Sequence, residues 1–293
     1  MGKFLKGVLL IVMSAAGYGA MPIFAKSAYS AGASVQTLLF IRFLLASLCL
    51  FIYIFIKKEK IKLTLHTFIL LLALGLVCYT AQSTFYFFAM KYISASLAVL
   101  LLYTYPILVY LFTHFVEKQK LNKRIITSII ITFTGIVLVM DASIGKLDLM
   151  GVLFGFGAGI VYSAYVLIGN KTANKVSPIV TSGFVTLFAS IGILILGIST
   201  KTLSFHFGYT VWFSIAGLTA FSTILAIITF FKGLEILGSI KTSILSMLEP
   251  FFVIAFSCIF LGDSLSWLQA AGSVMVLTGA ALIVIFKEKD KIS

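Results

Sequence analysis

Charge is what this sequence has least of. Lys, Arg, Asp and Glu together make up 11% of its 293 residues, against about 25% in a soluble domain. Hydrophobic residues make up 61% and the mean hydropathy is +1.15. Such a composition excludes an ordinary cytosolic enzyme, and a disordered chain cannot be this apolar. Cysteine is nearly absent as well: Cys49, Cys78 and Cys258 each lie in an apolar run, and none belongs to a CxxC pair. Isolated thiols of this kind build neither a disulfide framework nor a zinc site, and read as small apolar residues. No HExxH, GxSxG or Walker A pattern occurs, and no polar stretch is long enough for a nucleotide-hydrolysing domain. The expectation is a protein that is no enzyme, needs no metal or cofactor, and carries no ATPase of its own.

What is present is apolar length. Hydrophobic stretches fall near 5–26, 35–56, 66–90, 94–116, 124–141, 148–169, 178–199, 209–231, 239–261 and 265–286. About 20 residues of helix cross the hydrocarbon core, so an all-α integral membrane protein with ten transmembrane helices is expected. The bases then sort by side. With the N-terminus inside, outer loops hold only Lys26, Lys91, Lys146 and Lys201. Arg42 lies within a span, and every other base falls in an inner segment, as in Lys57-Lys58-Glu59-Lys60. Basic residues collect on the cytoplasmic side, which puts both termini in the cytoplasm of a cell that carries the protein in its inner membrane. The same bias accounts for the net charge of +13 without a nucleic-acid partner. The basic start Met1-Gly2-Lys3 before an apolar run imitates a signal peptide, but is read as an uncleaved first span.

The chain also repeats itself at a separation of 144. Pro106 corresponds to Pro250, Leu101 to Leu245, Val109 to Val253 and Phe112 to Phe256. The match continues without a gap through Leu121 and Leu265, Thr134 and Thr278, Gly135 and Gly279, and Leu138 and Leu282. Tyr18 and Tyr162 stand at the same offset. The expected organisation is a first five-helix repeat over 1–141, a second over 148–286, and a short basic cytoplasmic tail, 287–293. Five spans per half turn the second half upside down, and inverted repeats of this kind are characteristic of secondary transporters.

Ser94-Ala95-Ser96, Tyr105-Pro106 and Gly135 in the first copy, and Leu248-Glu249-Pro250, Leu261-Gly262-Asp263-Ser264-Leu265, Gln269, Gly272 and Gly279 in the second, resemble the EamA family of the drug/metabolite transporter superfamily. Arg42-Phe43 resembles the arginine of that family's second span. The family commonly has glutamate where Asp263 stands, the first copy has Gln119 there, and Tyr18-Gly19 replaces a frequent Trp-Gly. The resemblance implies export of small metabolites, often amino acids, through a central cavity between two five-helix halves. Small multidrug members of the superfamily need an acid in the first span, which this chain lacks.

Glu249 is the sharpest candidate. About ten residues into a span, it sits roughly 15 Å deep, where an ionised carboxylate costs about 2.5–3.5 kcal/mol unless it faces protein, water or a partner. It reads as a substrate-amine or proton site, or as a neutral group capping backbone freed by Pro250. Arg42 can snorkel to the outer interface and is expected in a structural or anchoring role, with a counter-charge for a substrate carboxylate or for Glu249 as the alternative. Tyr18, Tyr103, Tyr105 and Tyr162 offer apolar bodies with polar tips, packing being the alternative for each, and the substrate pathway is expected along Tyr18, Gln82, Tyr86, Tyr105, Tyr162 and Glu249. Pro22, Pro106 and Pro250 are expected to kink their spans. Gly151, Gly155, Gly159 and Ser163 recur every four residues and read as a close-packing face.

The reading is a secondary transporter exporting small metabolites, amino acids foremost, either proton-coupled through Glu249 or uncoupled, as a monomer or homodimer. An importer of nucleosides, vitamins or sugars is the alternative, and a membrane-embedded enzyme or scramblase a third.

Overall fold

The computed structural model describes every residue except 1, 62, 94, 118–121, 140–147, 174, 262–265 and 290–293. Gln119, Leu121, Lys146, the Gly262-Asp263-Ser264-Leu265 segment and the end of the basic tail therefore lie outside the described residues. All regular structure among the described residues is helical, as a bilayer requires of a chain that must satisfy its backbone internally.

The first apolar run is α1 (Gly2–Gly19) and α2 (Met21–Ser30), interrupted at Ala20. Then come α3 (Val35–Ile56), α4 (Leu65–Leu72), a π-helical segment Ala73–Tyr79, and α5 (Thr80–Tyr92). α6 (Ala95–Leu102) and α7 (Tyr105–Glu117) follow, then α8 (Lys123–Val139). Beyond them run α9 (Leu149–Ala173), α10 (Pro178–Ser199), α11 (Val211–Thr219), a second π-helical segment Ala220–Leu225, and α12 (Ala226–Ser246). α13 (Glu249–Phe256), a third π-helical segment Ser257–Leu261 and α14 (Trp267–Lys289) complete the chain.

Seven helical stretches among the described residues are long and apolar enough to cross a membrane. One of them, Val211–Ser246, runs to 36 residues, but its backbone turns at Gly238 with φ 77° and ψ 172°. Only glycine adopts that region readily. In the first half the matching break is at Ile93, which leaves the helix in extended conformation at the end of α5.

Apolar burial does not drive helices together in lipid, so small residues and internal hydrogen bonds must. α8 runs along α14, where Gly135 lies against the backbone of Gly272 and Val276. Ser128 donates to the Gly279 carbonyl at 2.5 Å across that contact. α1 runs along α12, and Ser14 donates to the Ala226 carbonyl at 2.8 Å. In the equivalent pairing α9 lies on α5, with Gly151 against Tyr92 and Ile93, and it also meets α6, with Gly155 against Leu101. α3 packs on α10, and in both this pair and α8 with α14 an element meets its own counterpart in the other repeat.

The first two π-helical segments share a local feature. Thr80 donates to the Gly75 carbonyl, five residues back, at 3.2 Å. Thr223 does the same to Leu218 at 2.9 Å. Each hydroxyl serves a carbonyl in a widened turn, a device that recurs at functional sites, and the two threonines sit one residue off the 144 repeat.

Candidate functional site

Three helices restart inside the bundle, and each does so with proline as its second residue: Met21-Pro22 in α2, Tyr105-Pro106 in α7 and Glu249-Pro250 in α13. Proline belongs there, because the first turn of a helix has no partner for its N–H. Between α6 and α7 the chain turns at Tyr103-Thr104, and before α13 at Met247-Leu248. These breaks deliver Tyr103, Tyr105 and Glu249 to one place.

Glu249 is half-buried and lies beside the Tyr103 hydroxyl. Standing in the first turn of α13, it also meets the favourable end of the helix dipole. Tyr105, 2% exposed, donates to the Ser243 carbonyl at 3.1 Å, which ties the start of α7 to the segment beyond Gly238. From Tyr105 a run of rings leads across the interior. Tyr162 meets it edge-on with centroids 4.6 Å apart, and Tyr162 stacks on Tyr165 at 5.6 Å. Tyr165 reaches Tyr79 at 5.9 Å, and Tyr79 meets Phe43 at 5.0 Å.

Arg42 stands at the far end. It is 3% exposed and points into the protein, whereas the sequence suggested a side chain reaching for the membrane surface. The reason is helix rotation: Arg42 shares the face of α3 that carries Leu38, Ala46 and other buried residues. Its Nη1 donates to the Met21 thioether at 2.7 Å and its Nη2 to the Tyr79 hydroxyl at 3.4 Å. Its Nε has no partner.

Tyr18, half-buried beside the break between α1 and α2, lies within electrostatic reach of both Glu249 and Arg42. Tyr86 lies within reach of Glu249. Gln82 is half-buried on α5, one turn from both Tyr79 and Tyr86, and its amide has no hydrogen bond among the described residues. The structure thus gathers Tyr18, Tyr86, Tyr105, Tyr162 and Glu249 around one interior region, with Arg42 at its other end.

Two tyrosines of this cluster, Tyr79 and Tyr165, escaped sequence reasoning. Their signal was present: Tyr79, Gln82 and Tyr86 follow helical spacing, and Tyr165 lies one turn after Tyr162. Among the described residues no group of His, Cys, Asp and Glu could hold a metal ion. The arrangement offers a cation, a carboxylate and intervening phenol groups, which suit a small solute with apolar and polar parts.

Helices broken in mid-course to carry polar side chains into a bundle interior are the architecture of a membrane transporter. The chain belongs to the EamA-like transporter family, whose sequence profile matches residues 5–141 and again residues 149–285. An uncharacterized transporter of Clostridium kluyveri is 25% identical over 94% of this chain and 92% of its own length. A probable amino-acid metabolite efflux pump of Salmonella typhimurium is 24% identical over 77% of this chain and 78% of that protein. A solved crystal structure shares the fold with a TM-score of 0.81 at 17% identity, over 98% of each chain.

Proposed function

We propose that this transporter is a secondary exporter of small metabolites, with amino acids as the first class to test, working by alternating access. Its ten crossings are the seven long apolar stretches, with Val211–Ser246 divided at Gly238 so that its last residues join α13 in a crossing of their own, together with α8 and α14. Both termini then face the cytoplasm of a bacterial inner membrane, in keeping with the lysine bias. The observation that carries the reading is the meeting of Glu249 with the tyrosines where α7 and α13 restart. In a rigid bundle a carboxylate at that depth would be a cost without return. In a transporter it is a group that a solute ammonium or a proton can use.

The mechanism follows from the pairing of elements. α3 with α10 and α8 with α14 join counterparts of the two repeats. A rotation about these contacts opens one side of the cluster as it closes the other, without breaking either half. The amino-acid class draws support from the name of the Salmonella relative and from the presence of both an anionic and a cationic group. The test is efflux from proteoliposomes loaded with a labelled amino-acid mixture, with and without an imposed pH gradient. Selective loss of one group of amino acids is expected. Folded protein that releases none above empty liposomes removes amino acids from consideration.

A further inference from the structure

We infer that Arg42, together with the start of α2, is a carboxylate-binding subsite of the pathway. The inference rests on the transport reading and names the charged group that the solute presents to this end of the cluster.

A guanidinium has five N–H donors in a planar fork that fits a carboxylate with two parallel hydrogen bonds. Arg42 makes poor use of them. It is 3% exposed and lies over the Phe43 ring at 4.5 Å, yet its closest acceptor is a thioether, its second is a hydroxyl at 3.4 Å, and its Nε has none. A buried cation normally lies against an anion, since its desolvation is repaid only by an excellent partner. Glu249, the acid of the same cluster, does not fill that role: its neighbour is the Tyr103 hydroxyl, and no ion pair joins it to Arg42 among the described residues.

The surroundings favour an anion as well. Met21, which touches the guanidinium, is the first residue of α2, a helix of ten residues whose cap residue Ala20 makes no side-chain hydrogen bond. The first turn of a helix carries partial positive charge and exposes amide groups to an anion. Two positive elements therefore meet at one buried point. Met21 is flexible and unbranched, so its thioether can yield the place to an incoming group. The plainer reading, an arginine that only fastens α2 to α3, would call for strong acceptors at the fork, which the structure does not supply.

The solute is therefore one that carries a carboxylate, and its amide or decarboxylated analogue binds poorly. Arginine-specific labelling tests this directly, because the sequence contains only Arg42 and Arg124. In an Arg124→Lys background, phenylglyoxal should modify Arg42, with the adduct followed by mass spectrometry. Benzoate and phenylalanine are expected to slow the reaction about tenfold, while benzamide and phenylalaninamide leave it unchanged. The inference is overturned if neither acid protects, or if the amides protect equally. It is also overturned if Arg42 stays unlabelled, since a cavity that admits a solute admits this reagent.

Arg42→Lys keeps the charge and loses the fork. It is expected to raise the half-saturating concentration of a carboxylate solute about tenfold, with no change for its amide. The labelling needs no transport, so the two readings fail separately. Protection of Arg42 in a protein that moves no solute would leave the subsite standing and remove the transporter proposal. Amino-acid efflux from a protein whose Arg42 is indifferent to carboxylates would do the reverse.

Discussion

Adding one methyl group to Gly135 should loosen the whole pairing of α8 with α14. A Cβ at that position would lie 2.7 Å from the Val276 amide nitrogen and 2.8 Å from the Gly272 carbonyl oxygen, whereas ordinary contact begins near 3.4 Å. Both neighbours are backbone, so no side chain can swing aside, and the helices themselves must part by several tenths of an ångström. Forced overpacking of this kind costs about 1–3 kcal/mol. For a chain of this size that corresponds to a fall in melting temperature of roughly 2–4 °C per kcal/mol. Thermal unfolding of purified Gly135→Ala in detergent can be followed by intrinsic fluorescence, since Trp267 opens α14. Gly208→Ala is the control, because only the Thr210 hydroxyl oxygen, at 3.8 Å, lies near its added carbon. If the two variants melt alike, within 1 °C of the parent protein (a scale far below the expected loss), the backbone contact on which the argument depends is wrong.

Four further outcomes are expected. Glu249→Gln should abolish the response of efflux to an imposed pH gradient; full pH-driven transport by this variant would end any proton role for that residue. Tyr103→Phe removes the hydroxyl beside Glu249 and is expected to weaken solute affinity in a concentration series. Gly238→Ala meets no atom within 4 Å, so its expected loss of about 1–3 kcal/mol in thermal unfolding comes from backbone strain alone. Alkaline phosphatase fused after Ser293 should be inactive in cells and a fluorescent protein in the same place bright; an active phosphatase would reverse the orientation.

Much of the architecture was legible before any coordinates. Hydropathy over a span is a local property, set by the bilayer as solvent. The two repeats could be read from Pro106 and Pro250 and from Gly135 and Gly279, because proline and glycine answer to backbone needs that recur when a fold recurs. The small-residue stripe of α9 was equally plain, and Gly151 and Gly155 do meet their neighbours closely.

The candidate site was only half legible. Glu249 and four of its tyrosines stood out because a polar group at membrane depth needs a reason. Arg42 was misread, because whether a long side chain turns outward or inward depends on the rotation of α3, which its packing on α10 decides. Tyr79 and Tyr165 passed unnoticed, since nothing in either local sequence says that residues 86 positions apart will share a ring contact. The sequence alone determined the class, the repeat and the charged residues that must find partners, all of them consequences of the solvent. Which residues meet was decided only in the tertiary structure, by helix breaks and close backbone contacts that join distant parts of the chain.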